Sequence, residues 1–124
     1  HDIEELFFNI NRVTTKDAKM IIAVPNINAS EIKFLSDKWA AWDVPRHLYH
    51  FSFKTLELLL NKYDWKIVGS KNMLQDTLFN IYMSLKGNII KKIFTFILLC
   101  IYSFISQIFS SKKRSTNLVV CQKK

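Results

Sequence analysis

A chain of 124 residues that is 49% hydrophobic and 14% aromatic can fill one modest core, and this composition excludes an intrinsically disordered segment. Its net charge of +8 is concentrated at Lys91–Lys92, Lys112–Arg114 and Lys123–Lys124, and no basic stripe interleaved with aromatics marks a nucleic-acid module. Because the first two basic groups flank an apolar run, the charge points to an anionic membrane surface.

In chain order, Ile3, Leu6, Phe7, Ile10 and Val13 share one helical stripe. Asp2, Glu4 and Glu5 crowd its first turn, where the helix dipole favours acids, so a helix is predicted over Asp2–Val13. Met20–Val24 is wholly apolar and closes on Pro25-Asn26, which predicts a strand buried on both faces and, following a helix, an α/β sheet. Ligands of open α/β sheets gather beyond the carboxyl ends of strands, and Pro25–Asn28 is such an end. From Ser30, a candidate cap, a helical stripe of Ile32, Leu35, Trp39 and Trp42 runs into the stretch Trp39–Ser52, WAAWDVPRHLYHFS. That stretch sets two Trp, one Tyr, two His, one Arg and one Asp around a Val-Pro pair that a helix interior does not tolerate. Its irregular mixture of aromatic and ionisable side chains reads as a ligand-contacting loop.

Ser52 caps a predicted helix over Phe53–Lys62 with Leu56, Leu59, Leu60 and Tyr63 inward, and Trp65–Ser70 follows as a strand. Leu74, Leu78, Ile81, Tyr82 and Leu85 form another apolar stripe before the stop signal Gly87-Asn88. Ile93–Phe109 is the most apolar part of the chain, and its 17 residues rise about 26 Å as a helix against a hydrocarbon core of about 30 Å. Asn117–Cys121 is the last predicted strand; if it shares a sheet with Met20–Val24, a single crossing of a membrane leaves it on the wrong side. Basic flanks favour an interfacial helix and all-round apolarity favours burial against this chain or a partner, so interfacial, buried and spanning placements all stay open. Cys100 and Cys121 have no paired spacing and no metal pattern, and read as reduced, buried thiols.

The run VPN at Val24–Asn26, the block WxxWDVPRHLYHFS and KTLELLLNKYDWKIV at Lys54–Val68, in that order, resemble the C-terminal half of class I S-adenosylmethionine-dependent methyltransferases. The group concerned has the pattern VPN … W … PRHLYHFS … TL..LL...GF.V. The likeness covers Asp2–Val68, with Arg12 in place and TKDA where that group has KPGG. No role passes to His1.

The resemblance implies an α/β fold: the C-terminal part of a Rossmann-like sheet with flanking helices, residues 1–124 forming the acceptor side of one domain. A long apolar helical insertion, 71–116, precedes the last strand. It implies methylation of a small or lipid-linked acceptor, with S-adenosylmethionine held by residues upstream, because Gly69 and Gly87 are isolated and form no glycine-rich turn. Acceptor binding then falls on Asn26, Trp39, Trp42, Asp43, Arg46 and Tyr49. Catalysis falls on His47 and His50, since imidazole is the natural general base near neutral pH, while Arg46 can clamp a carboxylate or phosphate. The plainer use of Trp39 and Trp42 is packing, and that of either histidine is a structural hydrogen bond. The expected setting is cytoplasmic and peripheral to a membrane through 89–114, with no metal and no nucleic acid. Self-association is expected, either through the unpaired edge of Met20–Val24 or by exchange of the Ile93–Phe109 helix between copies. The other reading is a non-enzymatic basic module that associates with a membrane or a partner protein.

Overall fold

A computed structural model describes residues 2–124. Helix α1 (Ile3–Val13) starts where the Asp2 carboxylate accepts a hydrogen bond from the Glu4 N–H at 2.8 Å. Strand β1 (Lys19–Pro25) leads to a one-turn helix α2 (Ile32–Leu35), followed by 3-10 turns at Ser36–Lys38 and Ala40–Trp42. Helix α3 occupies Phe53–Lys62 as predicted, with Ser52 and Thr55 forming a reciprocal capping box. Strand β2 (Trp65–Lys71), helices α4 (Leu74–Ser84) and α5 (Ile89–Phe109), a 3-10 turn at Ser111–Lys113 and strand β3 (Thr116–Lys123) complete the chain.

The fold is mixed α/β. Its three strands lie in the order β1-β3-β2, and β3 pairs antiparallel with both neighbours, so β1 and β2 point the same way on either side of it. The strands predicted at Met20–Val24, Trp65–Ser70 and Asn117–Cys121 therefore share one sheet. Helices α1 and α3 cover one face. There Phe7, Leu56, Leu60, Trp65, Val119 and Cys121 form the main core, with Phe7 stacked on Tyr63 at 4.5 Å. The Trp65 indole N–H donates to Asn11 at 2.9 Å, satisfying the one polar atom of that side chain. Both cysteines are free; burial raises the pKa of the Cys121 thiol, which suits a reduced packing role.

Three expectations need correction. Strand β1 is not buried on both faces: Met20, Ile22 and Val24 pack on the main core, whereas Ile21 on the other face is 71% exposed because no helix covers it. The stripe Ile32–Trp42 is not one helix. Ser36 (φ 48°) and Asp43 (φ 39°) take left-handed backbone, which breaks the segment into short turns. The apolar helix starts at Ile89 rather than Ile93, because the Asn88 side chain caps it by accepting from the Ile90 N–H at 2.9 Å.

In α4 the apolar stripe faces mostly outward. Of Leu74, Leu78, Ile81, Tyr82 and Leu85 only Ile81 is buried, Leu85 packs partly buried against the same core, and the inward positions are otherwise Thr77, Asn80 and Ser84. Helix α5 is inverted in the same way, with Leu99, Ser103 and Gln107 buried. These helices pack with Ala29, Leu35, Trp39 and Ala41 into a second core beyond the end of β1. Polar groups knit it. Gln107 donates to Thr77 at 3.2 Å and accepts from Asn72 at 2.8 Å. Asn80 donates to Ser115 at 3.0 Å, and Ser115 in turn donates to the fully buried Glu31 carboxylate. Glu31 also accepts from Ser30 at 3.4 Å and is approached by the Ser103 hydroxyl at 3.5 Å, so the exit of β1, helix α5 and the start of β3 meet on one carboxylate.

Candidate functional site

The loop after α2 is held at both ends. Near its start, Trp39 is buried, meets Trp42 edge to face at 5.1 Å, and has no hydrogen-bond partner for its indole nitrogen among the described residues. The Trp42 indole N–H donates to the Ser36 carbonyl at 2.8 Å. At its end, the Phe51 carbonyl accepts from the Ile27 N–H at 3.2 Å and from Asn117 at 3.1 Å, which ties the loop to the ends of β1 and β3.

Asn26 makes that anchor rigid. It is fully buried, and its amide donates to the carbonyls of Lys112 (2.9 Å) and Arg114 (2.7 Å) while accepting from the Asn28 N–H at 3.1 Å. Both amide donors are thus spent on the backbone, so Asn26 positions the loop and offers no donor to a ligand.

Between these anchors the chain reverses at Asp43, whose left-handed backbone is followed by a cis Val44–Pro45 bond. The Asp43 carboxylate accepts from the Arg46 Nε (3.0 Å) and Nη2 (2.7 Å), and the Asp43 carbonyl accepts from the His47 N–H at 3.0 Å. The pair orients a guanidinium whose side chain is 82% exposed and retains three N–H donors for a ligand. The His47 Nδ1 faces the Ala41 carbonyl at 3.3 Å; a carbonyl only accepts, so Nδ1 carries the proton and the basic lone pair of the neutral ring sits on Nε2.

Asp43, Arg46 and His47 converge on an open cleft of about 430 Å³ at the carboxyl end of β1. Its floor is Val24 and Pro25, and its far wall is α4, through Asp76, Phe79 and Met83. A second, largely apolar cleft of about 340 Å³ lies under α1; Arg46 and His47 line it too, together with Tyr49.

Of the predicted site residues, the structure gathers Asp43, Arg46 and His47 in one cleft and sets Tyr49 at the neighbouring one. It does not bring His50 there. The His50 Nε2 donates to the Trp42 carbonyl at 2.9 Å and its ring meets the Trp42 indole at 5.0 Å, a strut across the loop that lines neither cleft. Asp76 was missed. It accepts from the Thr116 hydroxyl at 2.7 Å and brings a second carboxylate to the cleft. The signal was the polar series Asp76, Asn80, Ser84 at four-residue spacing, which marks one helix face as surely as an apolar series does.

Among the described residues no group of three or more His, Cys, Asp or Glu is placed to hold a metal ion. Comparison of the chain with protein-family models, with curated proteins and with solved structures finds no match in any of the three.

Proposed function

We propose that this chain is the acceptor-side, C-terminal part of a Rossmann-like S-adenosylmethionine-dependent methyltransferase acting on a small or lipid-linked acceptor. The observation that carries this reading is the convergence of Asp43, Arg46 and His47, all from the block on which the resemblance rests, on one cleft at the carboxyl end of β1. The open outer edge of β1, which among the described residues pairs with β3 alone, agrees with a sheet that continues into residues preceding His1.

The chain's own residues do not form a cradle for the cofactor. Gly69 lies within β2 and Gly87 between α4 and α5, neither at a turn from a strand into a helix. What the cleft can supply is acceptor chemistry. Arg46, braced by Asp43, offers paired donors to a carboxylate or phosphate, Phe79 and Met83 give the acceptor's body an apolar wall, and His47 Nε2 takes up the proton that the acceptor must lose.

The test uses the protein that joins this chain to its preceding coding sequence. His47→Ala is expected to lower kcat for methyl transfer by about two orders of magnitude with cofactor affinity unchanged. Arg46→Ala raises the acceptor KM. Equal losses of cofactor affinity and turnover in His47→Ala contradict the reading. The second reading, a non-enzymatic membrane-associating module, is favoured by α5; its mark is membrane binding by a protein that takes up no S-adenosylmethionine.

A further inference from the structure

Helix α5 is long and apolar enough by length and composition to cross a membrane, and its 21 residues rise about 32 Å. Connectivity argues against a crossing. Strands β2 and β3 are adjacent in one sheet, so a chain that crossed along α5 must cross back along α4, whose 11 residues rise only about 16 Å.

Helix α5 lies along the body instead. Phe96, Leu99, Ser103 and Gln107 follow one another at helical spacing on the side that meets α4 and the Glu31 cluster. Roughly half the circumference is left facing outward. That arc carries Ile93, Ile97, Ile101, Phe104, Ile105 and Ile108, each about half exposed or more, and it ends at Phe109, 84% exposed. An arc this apolar on a helix whose inward strip includes the polar Ser103 and Gln107 is the reverse of what a water-facing helix shows.

Charge decides what covers it. Residues 85–114 contain six cations (Lys86, Lys91, Lys92, Lys112, Lys113 and Arg114) and no acid. A second copy laid arc to arc brings two such sets together with no counter-charge in the segment. Anionic lipid headgroups at both ends of the helix neutralise them, and acyl chains cover the arc between.

We propose that α5 lies in the plane of an anionic bilayer at the boundary of headgroups and acyl chains, with its outward arc in the acyl region and its terminal lysines on the headgroups. Monotopic attachment of this kind is independent of any methyl-transfer activity.

The chain is floated with vesicles of phosphatidylcholine alone and of phosphatidylcholine mixed with phosphatidylglycerol. It is expected to float with both and more tightly with the mixture. Lys112→Gln with Lys113→Gln removes most of that preference. The double substitution Ile97→Glu, Ile101→Glu lowers partition more than about tenfold. Should the double variant fail to fold, as read by circular dichroism, Phe104→Trp replaces it: lipids brominated in their acyl chains then quench the emission that this substitution adds. The proposal is overturned if the folded double variant partitions like the parent, if the emission added by Phe104→Trp is not quenched, or if the chain stays unfloated as a dimer whose mass the double variant halves. The last result assigns the arc to a second copy.

Discussion

Asn26 sits where the resemblance places an acceptor ligand, yet its amide is consumed by the carbonyls of Lys112 and Arg114. The residue type and its place at a strand end were legible in the sequence; the direction of its side chain was not, because its partners lie more than eighty residues away along the chain. The same holds for the two histidines: each faces a backbone carbonyl, and they differ only in that His47 lines the cleft and His50 does not. Asn26→Ala removes two hydrogen bonds from a fully buried side chain and is expected to cost about 1–3 kcal/mol of folding stability. Urea unfolding checks this. A loss under about 0.5 kcal/mol, the range of an ordinary surface substitution, contradicts the anchoring role.

Elements were legible where their ends carry their own chemistry. Helix α3 runs from its Ser52 cap to Lys62 as predicted, since the capping box and the Leu56/Leu60 face agree on one frame. The segment after α2 failed because an apolar spacing that fits a helix does not reveal left-handed backbone at Ser36 and Asp43. Helices α4 and α5 failed differently. Apolar periodicity located them, but α5 is apolar nearly all round and so showed no face, and the polar face of α4 went unread, so Asp76 was lost. Their inversion reverses the usual mutational order. Gln107→Leu, which cuts the ties to Thr77 and Asn72, is expected to cost about 1–3 kcal/mol, whereas Ile101→Ser on the outward arc costs less than about 0.5 kcal/mol. Thermal unfolding of the two variants in the same detergent ranks them; the opposite order contradicts the assignment of faces.

At the scale of the molecule, the apolar surfaces that stand bare include the outer edge of β1, the sheet face that presents Ile21, and the outward arc of α5. The first two border the strand that ends at the cleft, and the third carries the basic flanks. On the readings proposed above, a further strand covers the first, helices packed on that extended sheet cover the second, and lipid covers the third. The most direct measurement is calorimetric titration of S-adenosylmethionine into the chain His1–Lys124 and into the protein extended by its preceding coding sequence, both in the same detergent. The methyltransferase reading predicts saturable binding by the extended protein and none by His1–Lys124 alone. Saturable binding by His1–Lys124, or none by the extended protein, contradicts it.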